Sequence, residues 1–422
     1  MRFFPSRLRW QASGLWRQET FLKLWASQTF TYAGFQVQLL GVPLVAALLL
    51  DATPLQMGIL ASFGGAPAIV MGVFAGIWID RRSKRAVLIG AAWGHVVALL
   101  VIAVAAWLGF LSIPLLFAMA FVLGGLRFIV DVTYRAFLPS LVLRGQLVDA
   151  NSKLEMGRSA TEIGGPGFTG VLVQAVSAPF TLFVGAAAYA ASALSLHRMR
   201  PPTDISPRAT ALSVRGELRE GLGFVMRSPV LRALTVAAAM VGGSNALIDS
   251  VGLLYLVRQL DLTPGLIGLV FSVAGVGWLV GASLAKQTTR RVGLGRSAAV
   301  GVFLMTAGDV VIPLAGGPPT VVLALVAGGA FLFGAGLVTY IIGRTSLQQS
   351  MTPDRLQGRV NVVLRMAFLG AIPIGALIGG ALGETIGLRP TLFVGAAGEL
   401  LTAVLLLLSA VAAVREAPSN GE

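Results

Sequence analysis

The sequence predicts an all-α integral membrane protein with twelve transmembrane helices in two six-helix repeats. Three observations support this prediction. Hydrophobic residues make up 56% of the 422 residues and charged residues only 12%, whereas soluble domains carry about 25% charged residues. The apolar residues are gathered into long segments. The two halves of the chain also share sequence at one constant offset.

The apolar segments are long enough to cross a bilayer, because a helix needs about 17–25 residues to span about 30 Å of hydrocarbon. We assign them to residues 21–49, 55–79, 86–110, 114–138, 153–176, 180–197, 230–257, 264–285, 297–315, 320–345, 360–383 and 390–414. Thr53 and Thr263, each followed by Pro, are predicted N-caps of the second and eighth segments. Twelve crossings place both termini on the same side.

The repeat has an offset of 210 residues. The heptamer TLFVGAA occupies residues 181–187 and 391–397. Other identical pairs at this offset are Asp51 and Asp261, Thr53 and Thr263, Pro54 and Pro264, Gly58 and Gly268, Asn151 and Asn361, Leu154 and Leu364, Met156 and Met366, Gly165 and Gly375, and Gly170 and Gly380. Matches in separate places at one offset indicate an internal duplication. Paired membrane repeats are typical of secondary transporters.

The charge distribution predicts the topology. Of the 32 Lys and Arg residues, 28 fall on the side of the termini. The others are Arg258 and Arg389 in loops of the opposite side, and Arg127 and Arg158 inside helices. By the positive-inside rule both termini are cytoplasmic, and we expect a multi-pass protein of the bacterial inner membrane. The net charge of +14 therefore reflects topology and does not indicate a nucleic-acid partner.

Five regions follow from these assignments. They are a cytoplasmic N-terminal segment (1–20), a first six-helix half (21–198), a cytoplasmic linker (199–229), a second six-helix half (230–414) and a cytoplasmic tail (415–422). The linker opens with Pro201 and Pro202, and its residues 212–225 form an amphipathic stretch. Such a stretch is expected to be a helix lying on the membrane surface.

Several function classes are disfavoured. The sequence has no G-x-x-x-x-G-K-[ST] loop for a nucleotide. It has no Cys, and His95 and His197 are far apart with few other ligand types nearby, so we expect no metal site. No Ser/His/Asp or paired-carboxylate arrangement indicates an enzyme. We expect no cofactor, and as partners only the lipid bilayer, a small-molecule substrate and protons, with the chain acting as a monomer.

The loop after the second segment carries the strongest motif. Residues 76–85 read GIWIDRRSKR, which resembles the G-x-x-x-D-[RK]-x-G-[RK]-[RK] signature of the major facilitator superfamily, with Ser83 at the second glycine. The resemblance implies a major facilitator fold with a cytoplasmic gate formed by Asp80, Arg81 and Arg85. In the family, an acid on the fourth helix exchanges pairing with the loop arginine, a role that falls here to Asp131. The repeat has Arg290 where the first half has Asp80.

A second resemblance lies in the fifth segment. Residues 164–170 read GGPGFTG and are similar to the Gly/Pro motif of the superfamily's proton-coupled drug exporters; a kinked packing segment is the alternative interpretation. The whole chain, including the N-x-x-L-x-M starts of the fifth and eleventh segments, resembles the bacterial branch of macrolide-efflux, multidrug-efflux and siderophore-export proteins.

Charges within membrane helices are costly and are functional candidates. Arg127, Asp131 and Arg135 recur every four residues on one face of the fourth segment. Glu155, Arg158 and Glu162 likewise share a face of the fifth segment. These groups either pair with each other and hold helices together or take part in gating and coupling.

The central cavity is expected to be lined by the first, fourth, seventh and tenth segments, as the resemblance implies. The predicted lining residues are Gln28, Tyr32, Gln36, Arg127, Asn245, Asp249, Phe331 and Tyr340. Hydrogen bonding between helices is the alternative for the polar ones, and a lipid-facing position is the alternative for the aromatic ones.

Proton coupling requires a carboxylate that changes protonation. Asp249 is the first choice because no cation lies within four residues of it on its helix, whereas Asp131 and Glu162 have arginines on their own faces. Together these features predict a proton-coupled exporter, an antiporter of amphipathic drugs or similar molecules. The alternatives are a dedicated exporter of a metabolite such as a siderophore, an importer or facilitator of a polar solute, and a non-transporting receptor or scaffold.

Overall fold

A computed structural model describes residues 14–72, 78–79, 82–199 and 214–414. Within these ranges thirteen α-helices are defined. They are α1 Glu19–Leu48, α2 Pro54–Gly72, α3 Lys84–Trp107, α4 Ile113–Leu141, α5 Leu147–Val176, α6 Ala178–His197, α7 Val214–Arg227, α8 Pro229–Arg258, α9 Pro264–Val292, α10 Leu294–Leu314, α11 Pro319–Ser350, α12 Gln357–Thr385 and α13 Leu388–Leu408. The described residues contain no β-strand, so the predicted all-α class is confirmed.

Eleven of the described helices are long and apolar enough to cross a membrane. The twelfth long helix is α5, which has 30 residues and corresponds to the fifth predicted segment. Its N-terminal part carries Asp149, Lys153, Glu155, Arg158 and Glu162, and these charges lower its mean hydropathy. The remaining helix, α7, is shorter and lies in the predicted linker, close to the predicted stretch 212–225. Its position on a membrane surface stays a prediction.

The duplication is visible in the backbone. Five of the six long helices of the first half begin 210 residues before their counterparts, at Glu19 and Pro229, Pro54 and Pro264, Lys84 and Leu294, Leu147 and Gln357, and Ala178 and Leu388. Asp51 and Asp261 both adopt the left-handed conformation, with φ of 45° and 49°. Aspartate tolerates this conformation better than most residues. The two loops therefore turn in the same way.

The predicted helix caps differ in detail. The Gln56 amide donates to Thr53 Oγ1 (3.3 Å), and the Thr53 amide donates to Gln56 Oε1 (3.0 Å). These two bonds form a capping box at the start of α2. Thr263 occupies the N-cap of α9 but its side chain accepts no capping bond.

The two halves meet through small residues on the side of the bundle opposite the termini, called the far side here. Gly58 of α2 packs on Gly380 of α12, and Gly268 of α9 packs on Gly170 of α5. Small residues allow such helix backbones to approach closely. Arg258, at the end of α8, adds an ion pair with Asp51 of the first half (2.5 Å).

The linker helix α7 packs against the second half. Glu220 forms ion pairs with Arg359 and, at 3.6 Å, with Arg355. Gly221 lies against the backbone of Arg359 at the start of α12, and Val225 is buried. The linker helix is therefore held close to the terminal-side end of α12.

Candidate functional site

A cavity of about 670 Å³ lies between the two halves. Its wall is built by α1, α2 and α4 of the first half and by α8 to α13 of the second. Most of the lining side chains are apolar. The charged or strongly polar ones are Gln38, Arg127, Asp131, Asn245, Asp249, Asp309 and Arg365.

The cavity is closed towards the far side. Near that side α5 and α9 are joined by a bond from the Gly167 amide to Ser272 Oγ (2.9 Å) and by another from the Gly265 amide to Gln174 Oε1 (3.1 Å). Towards the terminal side the same two helices diverge around a second space, lined by Asn151, Ser152, Glu155, Met156, Ser159 and Leu279. The structure is thus open towards the side on which the termini lie.

The first-half wall carries a cation supported by aromatic rings. Arg127 pairs with Asp131 (3.3 Å), and its guanidinium carbon lies 3.9 Å from the ring centre of Phe35 and 5.0 Å from that of Tyr32. Such contacts stabilise a partly desolvated cation. Among the described residues, the buried Nη1 of Arg127 has no hydrogen-bond partner. The ion pair and the two rings therefore hold the Arg127 side chain at the cavity wall.

Tyr32 lies between two arginines. The guanidinium of Arg158 stands 5.7 Å from the Tyr32 ring centre. Arg158 also pairs with Glu162 (2.7 Å) and Glu155 (3.7 Å) on its own helix. The charges predicted to share a face of α5 therefore pair within that helix, next to the ring that Arg127 also contacts.

The second-half wall carries an acid cluster. Asp249 of α8 is exposed to the cavity, whereas Asp309 of α10 is 6% exposed and Glu399 of α13 is fully buried. Asn245 Nδ2 donates to Glu399 Oε1 (2.9 Å) and to the Val241 carbonyl (2.9 Å). The Asp309 and Glu399 carboxyl groups lie within hydrogen-bonding reach of each other, and Asp249 acts electrostatically on both.

Sequence reasoning missed Asp309 and Glu399. Each is an acid inside a predicted membrane segment, 297–315 and 390–414 respectively. The rule that intramembrane charges are functional candidates would have selected both.

The acid cluster is confined to one half of the duplication. At the offset of 210 residues, Asn245, Asp249, Asp309 and Glu399 correspond to Phe35, Leu39, Leu99 and Tyr189. The cavity therefore has the Arg127–Asp131 pair and aromatic rings on the first-half wall, and the acid cluster together with Arg365 of α12 on the second-half wall.

Only some of the predicted lining residues face the cavity. Arg127, Asn245 and Asp249 lie on its wall. Tyr32 lies behind it, against the two arginines. Gln28 also lies off the wall, with a buried side-chain oxygen.

The structure corrects three further lining assignments. Gln36 is buried and donates to the carbonyls of Thr161 (3.2 Å) and Glu162 (3.4 Å), so it joins α1 to α5. Tyr340 is 1% exposed in the core of the second half. Phe331 is off the wall because its backbone packs against Gly277 of α9, whereas Phe333 lines the cavity.

The predicted gate is partly visible. Asp80 and Arg81 lie outside the described residues. Arg85 donates to the carbonyls of Leu196 (2.8 Å) and His197 (2.7 Å), so in this conformation it caps the end of α6. Ser83, at the glycine position of the signature, is the N-cap of α3.

Two six-helix repeats around a central cavity closed at one end define a transporter of the major facilitator superfamily. The chain belongs to the superfamily's transmembrane secretion effector family, whose model matches residues 12–421. It is a multi-pass membrane protein of a transporter family, with the lipid bilayer as its surroundings and small molecules as its class of substrate.

Individual relatives agree with this assignment. The chain is 26% identical to the MFS-type transporter YfiS of Bacillus subtilis (strain 168), over 88% of each chain. It is 28% identical to the multidrug efflux pump Tap of Mycolicibacterium fortuitum, over 86% of this chain and 87% of that protein.

Two solved structures of one transporter share the fold. A bacterial homologue of the iron transporter ferroportin, in its inward-facing state, matches with a TM-score of 0.74 at 21% identity, over 94% of this chain and 99% of that one. The outward-facing state matches with a TM-score of 0.59 at 20% identity, over 92% and 98%.

Proposed function

We propose that the protein exports amphipathic small molecules in exchange for protons, by alternating access, from the cytoplasmic side of the bacterial inner membrane. The observation that carries this proposal is the central cavity. It is closed at the far side, its wall is mostly apolar, and it exposes the carboxylate of Asp249. With both termini in the cytoplasm, this opening would load substrate from the cell interior.

The composition of the wall suits an amphipathic substrate. Ligand sites of this size are mainly apolar, with a few polar groups that fix orientation. Asp249 offers a counter-charge for a cationic group, and Arg127 offers one for an anionic group. The relative Tap, a multidrug efflux pump, supports this substrate class. An importer of polar solutes would be expected to have a more polar cavity.

One proton per cycle suffices energetically. A charge moving through about 100 mV releases about 2.3 kcal/mol. At about 1.4 kcal/mol per decade, this sustains roughly a fifty-fold concentration gradient. A single carboxylate that binds and releases a proton would therefore support useful efflux.

Among the three predicted coupling acids, the contacts favour Asp249. Asp131 pairs with Arg127, and Glu162 pairs with Arg158. A neighbouring cation favours the charged form of a carboxylate. Asp249 instead interacts electrostatically with two further acids, Asp309 and Glu399. We therefore assign coupling to the second-half wall and gating to Asp131, together with the loop residues Asp80 and Arg81.

The test is a susceptibility panel in a bacterial strain that lacks its main exporters, combined with dye efflux from inverted vesicles. Expression should raise resistance to amphipathic cations, and dissipating the pH gradient should abolish dye transport. Resistance to one metabolite alone would favour a dedicated exporter. Accumulation of polar solutes would indicate import instead of export. The absence of any substrate-dependent flux would contradict transport of these compounds.

A further inference from the structure

The Asp309 and Glu399 side chains form a pair that no predicted role uses. They come from α10 and α13, and both are nearly or fully buried. Within the described part of the chain, Asp309 Oδ2 and Glu399 Oε2 have no hydrogen-bond donor as a partner. Leaving such buried oxygens unsatisfied is costly, and more so when they are charged. A second group must therefore satisfy them.

No cation fills this role in the described part of the chain. The charged group that acts on both carboxyls is Asp249, another acid. Next to Glu399, α8 contributes the Asn245 amide. Across from Asp309, α11 contributes the backbone of Gly329 and Phe333, which touches Gly308. Tyr340 and Arg344 of α11 lie more than a helical turn further towards the terminal side.

Two ionised carboxylates at hydrogen-bonding distance repel each other, whereas one proton between them creates a strong hydrogen bond. From this geometry we infer that the Asp309–Glu399 pair is a proton-binding site, with Asn245 holding Glu399 in place and Asp249 standing between the pair and the substrate. The coupling role of this site rests on the proposed proton-driven export, whereas proton binding by the pair does not depend on that proposal.

The release step follows from charge alone. A cationic substrate at Asp249 adds positive charge close to the pair and so favours its ionised form. The O–H bond of the shared carboxylic acid then breaks, and the proton passes to water in the cavity, which Asp309 also lines. By linkage, a proton on the pair weakens cation binding to the same degree. Substrate and proton therefore compete, as exchange in opposite directions requires.

Infrared spectroscopy of the reconstituted protein tests proton binding without any substrate. At neutral pH we expect a carbonyl stretching band of a buried protonated carboxylic acid. Glu399→Gln and Asp309→Asn should each abolish it, and the double variant should show no further loss. The amide side chain introduced by Glu399→Gln retains an oxygen for the Asn245 amide, so packing is preserved. Asp354→Asn removes an exposed carboxylate in a terminal-side turn and should keep the band.

The coupling role is tested by proton release. Ethidium added to the detergent-purified protein in weakly buffered solution should acidify it, and Glu399→Gln should lose this signal while still binding ethidium. A band that persists in both single variants overturns the proton site. A band absent from the wild type, with sodium-dependent efflux in its place, assigns the pair to a metal cation. A band lost in Glu399→Gln with full pH-driven efflux retained refutes the coupling role, whereas a wild type that exports nothing refutes only the proposed function.

Discussion

Gly58 and Gly380 pack so closely that a Cβ atom on Gly58 would lie 2.9 Å from the Cα atom of Gly380 and 2.4 Å from the Ala376 carbonyl oxygen. The duplicated pair repeats this contact: a Cβ on Gly268 would lie 3.0 Å from Gly170 Cα and 2.4 Å from the Pro166 carbonyl oxygen. The far side is thus closed by two equivalent glycine contacts, one on each side of the cavity.

Gly58→Ala should weaken this closure, because backbone atoms cannot move aside as a flexible side chain can. Overpacking costs about 1–3 kcal/mol, which corresponds to roughly a 5- to 150-fold shift between conformations. The chain contains no Cys, so a single cysteine at Leu39, on the cavity wall, reports access from the far side. Labelling by an impermeant thiol reagent should rise in Gly58→Ala and stay at the wild-type level in Gly370→Ala, where a Cβ meets open space. Equal labelling of the Leu39→Cys protein and of its Gly58→Ala and Gly370→Ala derivatives would mean that the glycine contacts do not control opening.

The Arg258–Asp51 ion pair should make a smaller contribution to the same closure. The Asp51 side chain is 93% exposed, and exposed pairs contribute about 0–1 kcal/mol. Asp51→Asn should therefore raise labelling at Leu39→Cys only a few-fold, and added salt should reduce the difference because exposed charges are screened. Asp261→Asn is the matched control at the repeat-equivalent position. If Asp51→Asn raised labelling more than Gly58→Ala does, the ion pair and not the glycine contacts would contribute most to closing the far side.

The sequence predicted the helices well because length and hydropathy determine membrane insertion. The helix starts were less accurate where charges begin a helix. The fifth segment was predicted to begin at residue 153, but α5 begins at Leu147. Its first turns carry Asp149 and Lys153, which pair on the helix surface and which a hydropathy criterion assigns to a loop.

The site could be predicted only in part, since hydropathy does not specify how each helix is rotated. Phe331 and Phe333 are two positions apart on α11, yet only Phe333 reaches the wall. The bond between Asn245 and Glu399 joins residues 154 positions apart. It depends on the packing of α13 against α8, where Gly398 touches Ser244. An acid inside an apolar segment can be recognised from sequence, but its partner cannot.

The predicted topology has a direct test. A reporter fused after Arg208 should be active in the cytoplasm, and one fused between Gly316 and Pro319 should be active outside, because 28 of the 32 basic residues fall on the terminal side. Paired phosphatase and fluorescent-protein fusions measure this. An external Arg208 fusion would reverse the orientation and, with it, the direction of loading.

The gate prediction compares the two repeats. Asp80→Asn should abolish efflux while the protein still inserts, because the resemblance assigns the loop acid to the gate. Arg290→Gln, at the equivalent position that has lost the acid, should have a mild effect. Vesicle efflux normalised to the amount of inserted protein provides the measurement. Comparable, modest losses in both variants would show that the loop serves only as a basic topology signal.

Substitution of Asp249 and of Asp131 should impair transport in different ways. Asp249 lies near two other acids, whereas Asp131 pairs with Arg127 (3.3 Å). Asp249→Asn cannot ionise, so it mimics the protonated state at every pH. Its efflux should become insensitive to the pH gradient, whereas that of the wild type should increase as the far side is acidified. Cationic dyes should bind more weakly to this variant, whereas the binding of neutral dyes should be unchanged.

Asp131→Asn keeps the second-half acids, so the pH dependence of efflux should remain. The efflux rate should fall, because the Arg127 charge loses its partner. The measurement is the efflux rate from vesicles over a series of imposed pH gradients, for cationic and for neutral dyes. It separates a loss of dependence on the pH gradient from a rate that is lower at every gradient. If the efflux rate of Asp249→Asn depends on the pH gradient as strongly as that of the wild type, Asp249 is not the coupling residue. The Asp309–Glu399 pair would then have to couple protons to export without Asp249.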